Sequence, residues 1–498
     1  MSTLNGDLLP CGWAEAQLGV ILPLQYGKAL REDDRDDTGS FTVYGSSGPV
    51  GKHSIALTKG ASIIVGRKGN VGATYYSPDA CWPIDTVYFA GGTPSTNLRF
   101  FSYLLTWLGL VRLDRSTAVP GLSRDDYSPL RVPVPPANEQ RRIVEAIDSH
   151  LTKLDAAVAA LERVCANLKR YRASVLKAAV EGRLVPTEAG LAREEGRDFE
   201  PASVLLDRIL AERRRRWEES ELARMKAAGK PPKDGHWKSK YKEPIAPDTS
   251  ALPQLPAGWC WATGDQVFVA VTSGSRGWAK YYSDAGALFL RMGNLDRDTI
   301  ALDLRELQHV RPPTGAEGTR TLVESGDILI SITAELGMVA FVKNDIGEAY
   351  INQHLCLARP VGAINRAFLA WYITSEPGRQ RLGRGKRGAT KLGLGLDDIR
   401  RLPIPLPPLA EQDRILAEID EITSVADFTQ AGVDKSVRTT DRLRQSILKW
   451  AFKGKLVDQD PNDEPACVLL ERIRAERATT TPTAKSRKTN AHQIEAAK

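Results

Sequence analysis

The sequence contains no run that approaches the roughly 18 uninterrupted apolar residues of a membrane-spanning helix. Its first residues lack the basic-then-apolar pattern of a signal peptide. The six cysteines and six histidines are scattered, with no CxxC pair and no His cluster, which argues against a zinc site or a disulfide framework. The net charge of +7 over 498 residues favours contact with nucleic acid. We therefore expect a cytoplasmic protein with an acidic partner and no membrane contact.

Catalytic signatures are also missing. The nearest approach to a phosphate-binding GxxxxGK[ST] loop, residues 46–53, lacks the first glycine and the final hydroxyl residue. Residues 66–72 are glycine-rich but do not fit GxGxxG. There is no HExxH or GxSxG, and no Asn/Asp-Pro-Pro-aromatic turn of the kind found in adenine methyltransferases. Adjacent aspartates occur at 125–126 and 397–398, but capping of a helix or turn explains them better than metal binding. The sequence predicts no catalytic site and no metal site.

An internal duplication organises the chain. Residues 132–143 (VPVPPANEQRRI) recur as residues 404–415 (IPLPPLAEQDRI), at an offset of 272. The same offset relates LKAAVEGRLV at 176–185 to LKWAFKGKLV at 448–457. A Leu-Pro-x-Gly-Trp motif stands before each repeat, at 9–13 and 255–259, with a different offset. Two globular parts of unequal length therefore alternate with two helical segments of equal length.

Both helical segments carry a heptad pattern of apolar residues. Ten of eleven seam positions between Val144 and Ala179 are apolar, and seven of eleven between Leu416 and Ala451. Prolines precede each segment, and Gly182 and Gly454 can end it. We expect an antiparallel coiled coil of the two helices, with two independent bundle helices as the alternative.

Each globular part has the pattern of a mixed α/β domain. Short β-branched or aromatic runs between glycine-rich turns predict strands, and longer apolar segments predict helices. In the first part the predicted strands are 41–44, 62–65, 73–76 and 86–90, with a helix at 100–110. In the second they are 327–332, 339–342 and 351–357, with a helix at 366–374.

Basic residues concentrate in three places. Arg67 and Lys68 lie in a glycine-flanked loop between two predicted strands. A denser cluster with interspersed glycines and no acid contains Arg379, Arg381, Arg384, Lys386, Arg387 and Lys391. Arginine forks suit phosphates and guanine edges, so both clusters are candidate DNA contacts, with ordinary surface loops as the alternative. The third run, 213–242, mixes arginines with aromatic residues and suits DNA, a protein partner or a solvated surface equally.

The duplicated Pro-Pro-x-x-Glu-Gln-x-x-Ile motif, the Leu-Lys-x-Ala-x-x-Gly-x-Leu-Val ends and the Leu-Pro-x-Gly-Trp starts together resemble the specificity (S) subunit of Type I restriction-modification systems, the HsdS family. The resemblance covers about residues 5–477. It implies two target-recognition domains that each read one half of a split, asymmetric DNA sequence. The paired helices would set the gap between the half-sites.

The resemblance also implies partners and cofactors. Two modification (methyltransferase) subunits would dock on the helical segments, where the repeated motif makes Glu139, Gln140, Glu411 and Gln412 the candidate docking residues. S-adenosylmethionine, ATP and Mg would be bound by these subunits and by possible restriction (translocase/nuclease) subunits, and none by this chain. The expected boundaries are 1–134 for the first recognition domain, 135–185 for the first helical spacer, 186–252 for a basic helical linker, 253–406 for the second recognition domain, 407–457 for the second spacer, and 458–498 for a C-terminal helix and disordered tail.

Three other functions stay open at this point. The chain could be a nuclease or methyltransferase with a degenerate motif. It could be a coiled-coil scaffold that never reads DNA, or the specificity subunit of a complex that only methylates.

Overall fold

A computed structural model of the chain describes residues 3–4, 7–113, 121–230, 232, 234–312, 315–383 and 393–480. They form two compact units. The first unit contains the described residues up to Glu162 and from Asp434 onward, and the second contains those within Arg163–Val433. Across the described part of the chain, no helix is both long and apolar enough to cross a membrane.

The secondary structure follows the duplication. The strands before residue 135 are β1 Thr3–Leu4, β2 Asp7–Leu8, β3 Ala14–Gln17, β4 Gln25–Tyr26, β5 Phe41–Gly45, β6 Gly48–His53, β7 Ser62–Gly66, β8 Thr74–Ser77, β9 Cys81–Pro83, β10 Val87–Gly91 and β11 Arg131–Val134. The later strands are β12 Cys260–Thr263, β13 Phe268–Ser273, β14 Tyr282–Ser283, β15 Ala287–Leu290, β16 His309–Val310, β17 Ile328–Ser331, β18 Val339–Phe341, β19 Ala349–Ile351, β20 Leu355–Pro360 and β21 Pro403–Leu406. The α-helices are α1 Leu18–Ile21, α2 Leu98–Leu108, α3 Arg124–Tyr127, α4 Ala137–Val180, α5 Glu188–Glu195, α6 Ala202–Ala227, α7 Gly264–Val267, α8 Ala316–Thr321, α9 Arg366–Thr374, α10 Glu376–Gly383, α11 Leu396–Arg400, α12 Leu409–Phe452 and α13 Ala466–Thr480.

In the first unit, a four-stranded antiparallel sheet in the order β4-β10-β7-β8 forms the centre. The same unit contains a separate three-stranded sheet, β6-β5-β9, and β3 pairs with β11. The central strand β7 is buried along its whole length, and the apolar residues of α2, among them Phe100, Phe101 and Leu104, share its core. The apolar runs of the sequence thus form the strands and helix that the pattern predicts.

The second unit repeats this arrangement. Its central sheet has the order β13-β20-β17-β18, which matches β4-β10-β7-β8 strand for strand, and β12 pairs with β21 as β3 does with β11. Its other sheet, β14-β16-β15-β19, corresponds to β6-β5-β9, with the same antiparallel and parallel pairings and with β14 added at the edge. The predicted mixed α/β fold with an internal repeat is confirmed. The single strand predicted at 351–357 is wrong, because a turn at residues 352–354 divides it into β19 and β20, which belong to different sheets.

The two long helices, α4 and α12, are 44 residues each. In the first unit, Arg444 of α12 pairs with Asp155 of α4. In the second unit, Arg172 of α4 pairs with Asp427 of α12 at 2.5 Å, and the Gln430 amide lies 3.3 Å from the Cys165 sulfur. In the second unit, residue numbers rise along one helix as they fall along the other, so the two helices are antiparallel there, as predicted.

The end of each long helix packs against the start of a globular part. In the first unit, a Cβ on Gly454 would lie 2.4 Å from the Pro10 ring, and the Phe452 ring lies 5.5 Å from that of Phe100. The Ala466 N–H, at the start of α13, donates to the Gly12 carbonyl at 2.9 Å. Helix α13 thereby joins the core of the first unit. Beyond Thr480, the predicted disordered tail lies outside the described residues.

The second unit contains the same junction. A Cβ on Gly182 would lie 2.5 Å from the Pro256 ring, and the Ala202 N–H of α6 donates to the Gly258 carbonyl at 2.8 Å. Gly182 and Gly454 both have φ above +60°, the left-handed conformation that ends a helix without strain only at glycine. The repeat is therefore matched in its contacts as well as in its strand order.

Candidate nucleic-acid interface

The turn between β7 and β8 carries two predicted DNA-binding residues, Arg67 and Lys68. The Gly72 N–H donates to the Gly66 carbonyl at 2.9 Å, which closes the turn. Gly72 has φ of +76°, and a Cβ there would lie 2.4 Å from the backbone nitrogen of Val111, so the close approach requires glycine. Lys68 is exposed at the tip, and Arg67 is half-buried beside it.

Arg67 belongs to a cluster of two cations around one exposed ring. Its Nε and Nη2 donate to the Asp85 carbonyl at 3.1 and 2.9 Å, and its Cζ lies 5.4 Å from the centre of the Tyr26 ring. The Cζ of Arg124 lies 4.5 Å from the same ring. Tyr26 is 51% exposed. Fixed guanidinium groups beside an exposed aromatic face suit contacts with phosphates and bases. Tyr26 was not predicted, because it lies far from Arg67 in sequence and only strand pairing brings the two together.

A buried tyrosine supports this cluster from below. The Tyr88 hydroxyl donates to the Leu122 carbonyl at 3.1 Å, and its ring centre lies 5.1 Å from that of Tyr26. Burial raises the pKa of Tyr88 above its usual value, so the hydroxyl stays neutral and keeps its donor role. The cations therefore rest on a fixed, uncharged support.

The second unit repeats this edge at matching backbone positions. We call these two regions the turn edges: residues 66–72 with 85–86 in the first unit, and 331–337 with 353–354 in the second. In the first unit, the Arg67 N–H donates to the Thr86 carbonyl (3.0 Å), the Arg67 carbonyl accepts from the Leu122 N–H (3.0 Å), and Lys68 forms a backbone bridge with Gly121. In the second unit, the Ile332 N–H donates to the His354 carbonyl (3.0 Å), the Ile332 carbonyl accepts from the Leu394 N–H (2.9 Å), and Thr333 forms a backbone bridge with Gly393. By this register, the second turn edge has Ile332 and Thr333 at the positions of Arg67 and Lys68. The two edges share a backbone and differ in chemistry.

The predicted basic cluster of the second part is only partly described. Arg379 and Arg381 lie on α10, where Arg379 Nη2 donates to the Arg297 carbonyl at 3.2 Å and Arg381 Cζ lies 5.0 Å from the Trp261 ring. Residues two apart in a helix point to nearly opposite sides, so these two arginines do not converge. The other predicted contacts of this cluster, Arg384, Lys386, Arg387 and Lys391, lie outside the described residues.

The repeated Glu-Gln pairs anchor each long helix to its globular part. In the first unit, the Trp13 indole Nε1 donates to both carboxylate oxygens of Glu139 at 3.0 Å. Gln140 Nε2 donates to the Pro135 carbonyl at 3.0 Å. Both side chains are 1% exposed. The tryptophan of the Leu-Pro-x-Gly-Trp motif is thus the partner of the glutamate of the Pro-Pro-x-x-Glu-Gln motif.

The second unit repeats the anchor with one addition. Trp259 Nε1 donates to Glu411 Oε1 at 2.9 Å, and the Glu188 backbone N–H donates to Glu411 Oε2 at 2.8 Å. Gln412 Nε2 donates to the Pro407 carbonyl at 2.9 Å. Burial raises the pKa of the Glu411 carboxyl, and that of Glu139 in the first unit, against the opposing effect of the indole donors.

The burial of these anchors contradicts the prediction that a partner subunit docks on the repeated Glu-Gln pairs. Glu139, Gln140, Glu411 and Gln412 are all buried, and their polar atoms are engaged within the chain. A partner cannot contact a side chain that the chain itself covers. Repetition of the motif therefore reflects an internal joint.

Several basic residues of the run at 213–242 pair with carboxylates. On α6, Arg215 pairs with Glu219 at 2.9 Å and Arg216 with Glu212 at 2.5 Å, each one helical turn apart. The following linker packs back onto the helix, where the Trp217 ring stacks on another indole, that of Trp237, with centroids 6.0 Å apart. The run is therefore a folded surface whose positive charge is compensated in part.

The adjacent aspartates act at helix starts. Asp398 Oδ2 accepts the Gly395 N–H at 2.8 Å, and Asp397 pairs with Arg400 at 2.8 Å within α11. Among the residues that the structure describes, no group of three or more His, Cys, Asp or Glu side chains could hold a metal ion. Capping is thus the role that the geometry supports for the second pair.

Comparison with known proteins gives one consistent family. The model of the Type I restriction modification DNA specificity domain matches residues 10–162 and 317–435. The EcoBI specificity subunit of Escherichia coli, a Type I restriction enzyme subunit, is 26% identical over 405 residues, which cover 79% of this chain and 74% of the relative. The corresponding EcoDI subunit of Escherichia coli is 22% identical over 508 residues, covering 97% and 100%. A solved chain from a study of assembly and conformational transition of the type I R-M system has a similar fold, with a TM-score of 0.52, 20% identity, and coverage of 90% of this chain and 99% of that chain.

Proposed function

The chain belongs to the Type I restriction modification DNA specificity family, and we propose on this basis that it is the sequence-reading subunit of a Type I restriction-modification complex. It binds double-stranded DNA at a split, asymmetric sequence, and each globular part reads one half-site. The observation that carries this function is the pair of turn edges. They share backbone contacts and expose different side chains, as two readers of two unlike half-sites must.

The long helices set the gap between the half-sites in this proposal. At about 1.5 Å per residue, a 44-residue helix is about 66 Å long. The buried Trp–Glu anchors hold the start of each long helix against a globular part. The length of the helices therefore fixes the distance between the two DNA-reading parts. A fixed helix length then corresponds to a fixed number of base pairs.

Modification subunits dock on the same helices, two of them to each chain. Large apolar side chains are exposed on the helices within the second unit: Phe428 is 83% exposed and Val425 62% on α12, and Tyr171 is 51% exposed on α4. Exposed apolar residues on a helix pair favour packing of further helices against it. A Phe428→Glu substitution should release the modification subunits from the complex, while the variant chain keeps its helix content.

The chain itself is a non-catalytic component. Partner subunits supply the chemistry: modification subunits bring S-adenosylmethionine, and restriction subunits, where present, bring ATP and Mg. The complex acts in the cytoplasm, where its DNA is found.

The test is genome-wide mapping of adenine methylation in cells with and without this chain, with its modification subunits present. We expect a two-part asymmetric motif that disappears with the chain. A methylated motif that persists without the chain, or binding of the assembled complex to DNA without sequence preference, would contradict the proposal and favour a scaffold function.

A further inference from the structure

The second turn edge holds a chain of three polar side chains that no sequence motif marks. The Oγ1 of Thr333 lies 2.8 Å from Nδ1 of His354, and the Gln353 amide Nε2 lies 2.9 Å from Nε2 of the same ring. All three side chains are partly exposed. The backbone N–H of His354 donates to the buried Asn352 side chain at 3.0 Å, so the turn that carries them is itself fixed.

One of these side chains stands at the position of a predicted DNA-binding residue of the first unit, and the other two stand at positions whose backbone contacts Arg67. Thr333 matches Lys68, and His354 matches Thr86, by the shared backbone contacts of the two turn edges. Gln353 therefore matches Asp85, whose carbonyl accepts from the Arg67 guanidinium. The side chains that differ between the two turn edges therefore lie at equivalent backbone positions in both units.

The hydrogen bonding leaves a defined donor and acceptor free. An amide nitrogen can only donate, so the Gln353 amide donates to Nε2 of His354, and the ring donates from Nδ1 to the Thr333 hydroxyl oxygen. The Gln353 amide then keeps one N–H and its carbonyl oxygen for a ligand. One donor beside one acceptor in a plane matches the N7 and N6 edge of adenine in the major groove.

A cation stands near this edge, supplied by a different element from that of the first unit. Arg320 of α8 is exposed, and its two terminal nitrogens donate to Thr272 Oγ1 at 2.9 Å and Ser275 Oγ at 2.8 Å. These hydroxyls flank Ser273, which matches Tyr26 of the first unit by its strand register. Arg320 can neutralise a phosphate beside the edge, while the edge itself carries the neutral network.

We infer that Gln353, held in place by His354 and Thr333, is a base-reading side chain of the second globular part and recognises an adenine in its half-site. This inference rests on the proposed function and names the reader within it. Gln353 is the specificity-determining residue, and His354 is a positioning residue that acts through Gln353.

The test uses the complete complex of this chain with its modification subunits. The wild-type motif is first read from genomic methylation, and the complex then selects from duplexes in which the half-site of the second part is randomised. We expect Gln353→Ala to relax preference at one A·T pair by about 5- to 150-fold, the range for loss of a bidentate base contact, with the other half-site unchanged. Gln353→Glu, which can only accept, should shift that preference toward cytosine, whose N4 donates.

Two further variants separate reading from folding. Gln380→Ala removes another exposed glutamine of the same unit, whose amide donates to Glu376 at 3.0 Å, and it should leave the motif intact. His354→Ala should weaken the discrimination at the same base pair as Gln353→Ala. Hydrogen exchange in β17 should be unaltered in every variant.

Failure of the inference differs from failure of the proposed function. If the wild-type complex has no two-part motif, the proposed function is wrong whatever Gln353 does. If the wild type has such a motif but Gln353→Ala keeps every base preference, or relaxes a G·C pair, the assignment of Gln353 to adenine is overturned.

Discussion

Helix α13 should determine the stability of the first unit, although nearly the whole chain separates it from the sheet that it supports. Leu469 is 1% exposed and lies in the same core as β7 and α2. Truncation of a buried leucine to alanine removes its burial energy and leaves a cavity, a loss of about 2–5 kcal/mol. That loss is a large part of the roughly 5–15 kcal/mol by which a domain is stable. Leu469→Ala should therefore bring the first unit close to unfolding.

Hydrogen exchange followed by mass spectrometry can test this prediction unit by unit. Where exchange requires opening of the whole unit, a loss of 2–5 kcal/mol accelerates it roughly 30- to 5,000-fold. We expect that acceleration for β7 peptides of the first unit and none for β17 peptides of the second. The mirror variant, Leu205→Ala in α6, removes a fully buried side chain of the second unit and should have the opposite pattern.

A matched control and a clear contrary result complete the test. Val468, next to Leu469, is 40% exposed, so Val468→Ala should change stability by no more than about 0.5 kcal/mol. Unchanged β7 exchange in Leu469→Ala, or equal acceleration in both units, would refute the assignment of α13 to the core of the first unit.

Three further predictions concern pH, the gap and the first reader. Burial raises the pKa of the Glu411 carboxyl in the folded chain above its value in the unfolded chain, so the folded chain binds the carboxyl proton more tightly. The wild type therefore loses stability as the pH rises from the unfolded-state pKa through the folded-state pKa. Glu411→Gln removes the charge and sacrifices one of two acceptors at every pH, so its Tm should gain on that of the wild type as the pH rises above the usual pKa of a glutamate side chain. Parallel Tm curves would contradict this. Insertion of one heptad at facing positions of both long helices preserves the apolar seam and lengthens each helix by about 10 Å. The gap between the two halves of the methylated motif should therefore grow by about 3 base pairs. An unchanged gap would refute the proposal that the helices set the distance between the half-sites. Arg67→Ala should weaken binding of the complex to DNA about 5- to 150-fold, measured by titration with duplexes that differ in the half-site of the first unit. Arg131→Ala removes an exposed arginine, which pairs with Glu15 at 2.9 Å, and should leave this binding unchanged.

The sequence predicted well whatever depends on local chemistry. Helix α9 was expected at the bounds that it has, and the long helices were bounded by their prolines and glycines, because these residues act on their own backbone. The reading side chains depend on pairing across the sheet. Gln353 and His354 lie in a turn within residues 351–357, which the sequence predicts as one strand, and their match to the first unit appears only when the two units are aligned by strand register.

Repetition and charge were the less reliable guides. The Glu-Gln pairs repeat because the joint between strand, helix and tryptophan repeats, and a repeated motif does not by itself distinguish an internal joint from an interface. The arginines at 215 and 216 are paired by glutamates one turn away, so a count of positive residues overstates the charge available to DNA.

The contact between Phe452 and the α2 face has a consequence for synthesis on the ribosome. The rings of Phe100 and Trp107 pack against Phe452, at centroid distances of 5.5 and 5.3 Å. At about 5–20 residues per second, roughly 20–70 s separate the emergence of Trp107 from that of Phe452. Throughout this interval the nascent first unit presents an aromatic surface with its cover still untranslated, while the second unit, which is continuous in sequence, can complete its core. The first unit is therefore the half of the molecule that we expect to depend on chaperones, and early termination of translation should leave it, and not the second unit, prone to aggregation.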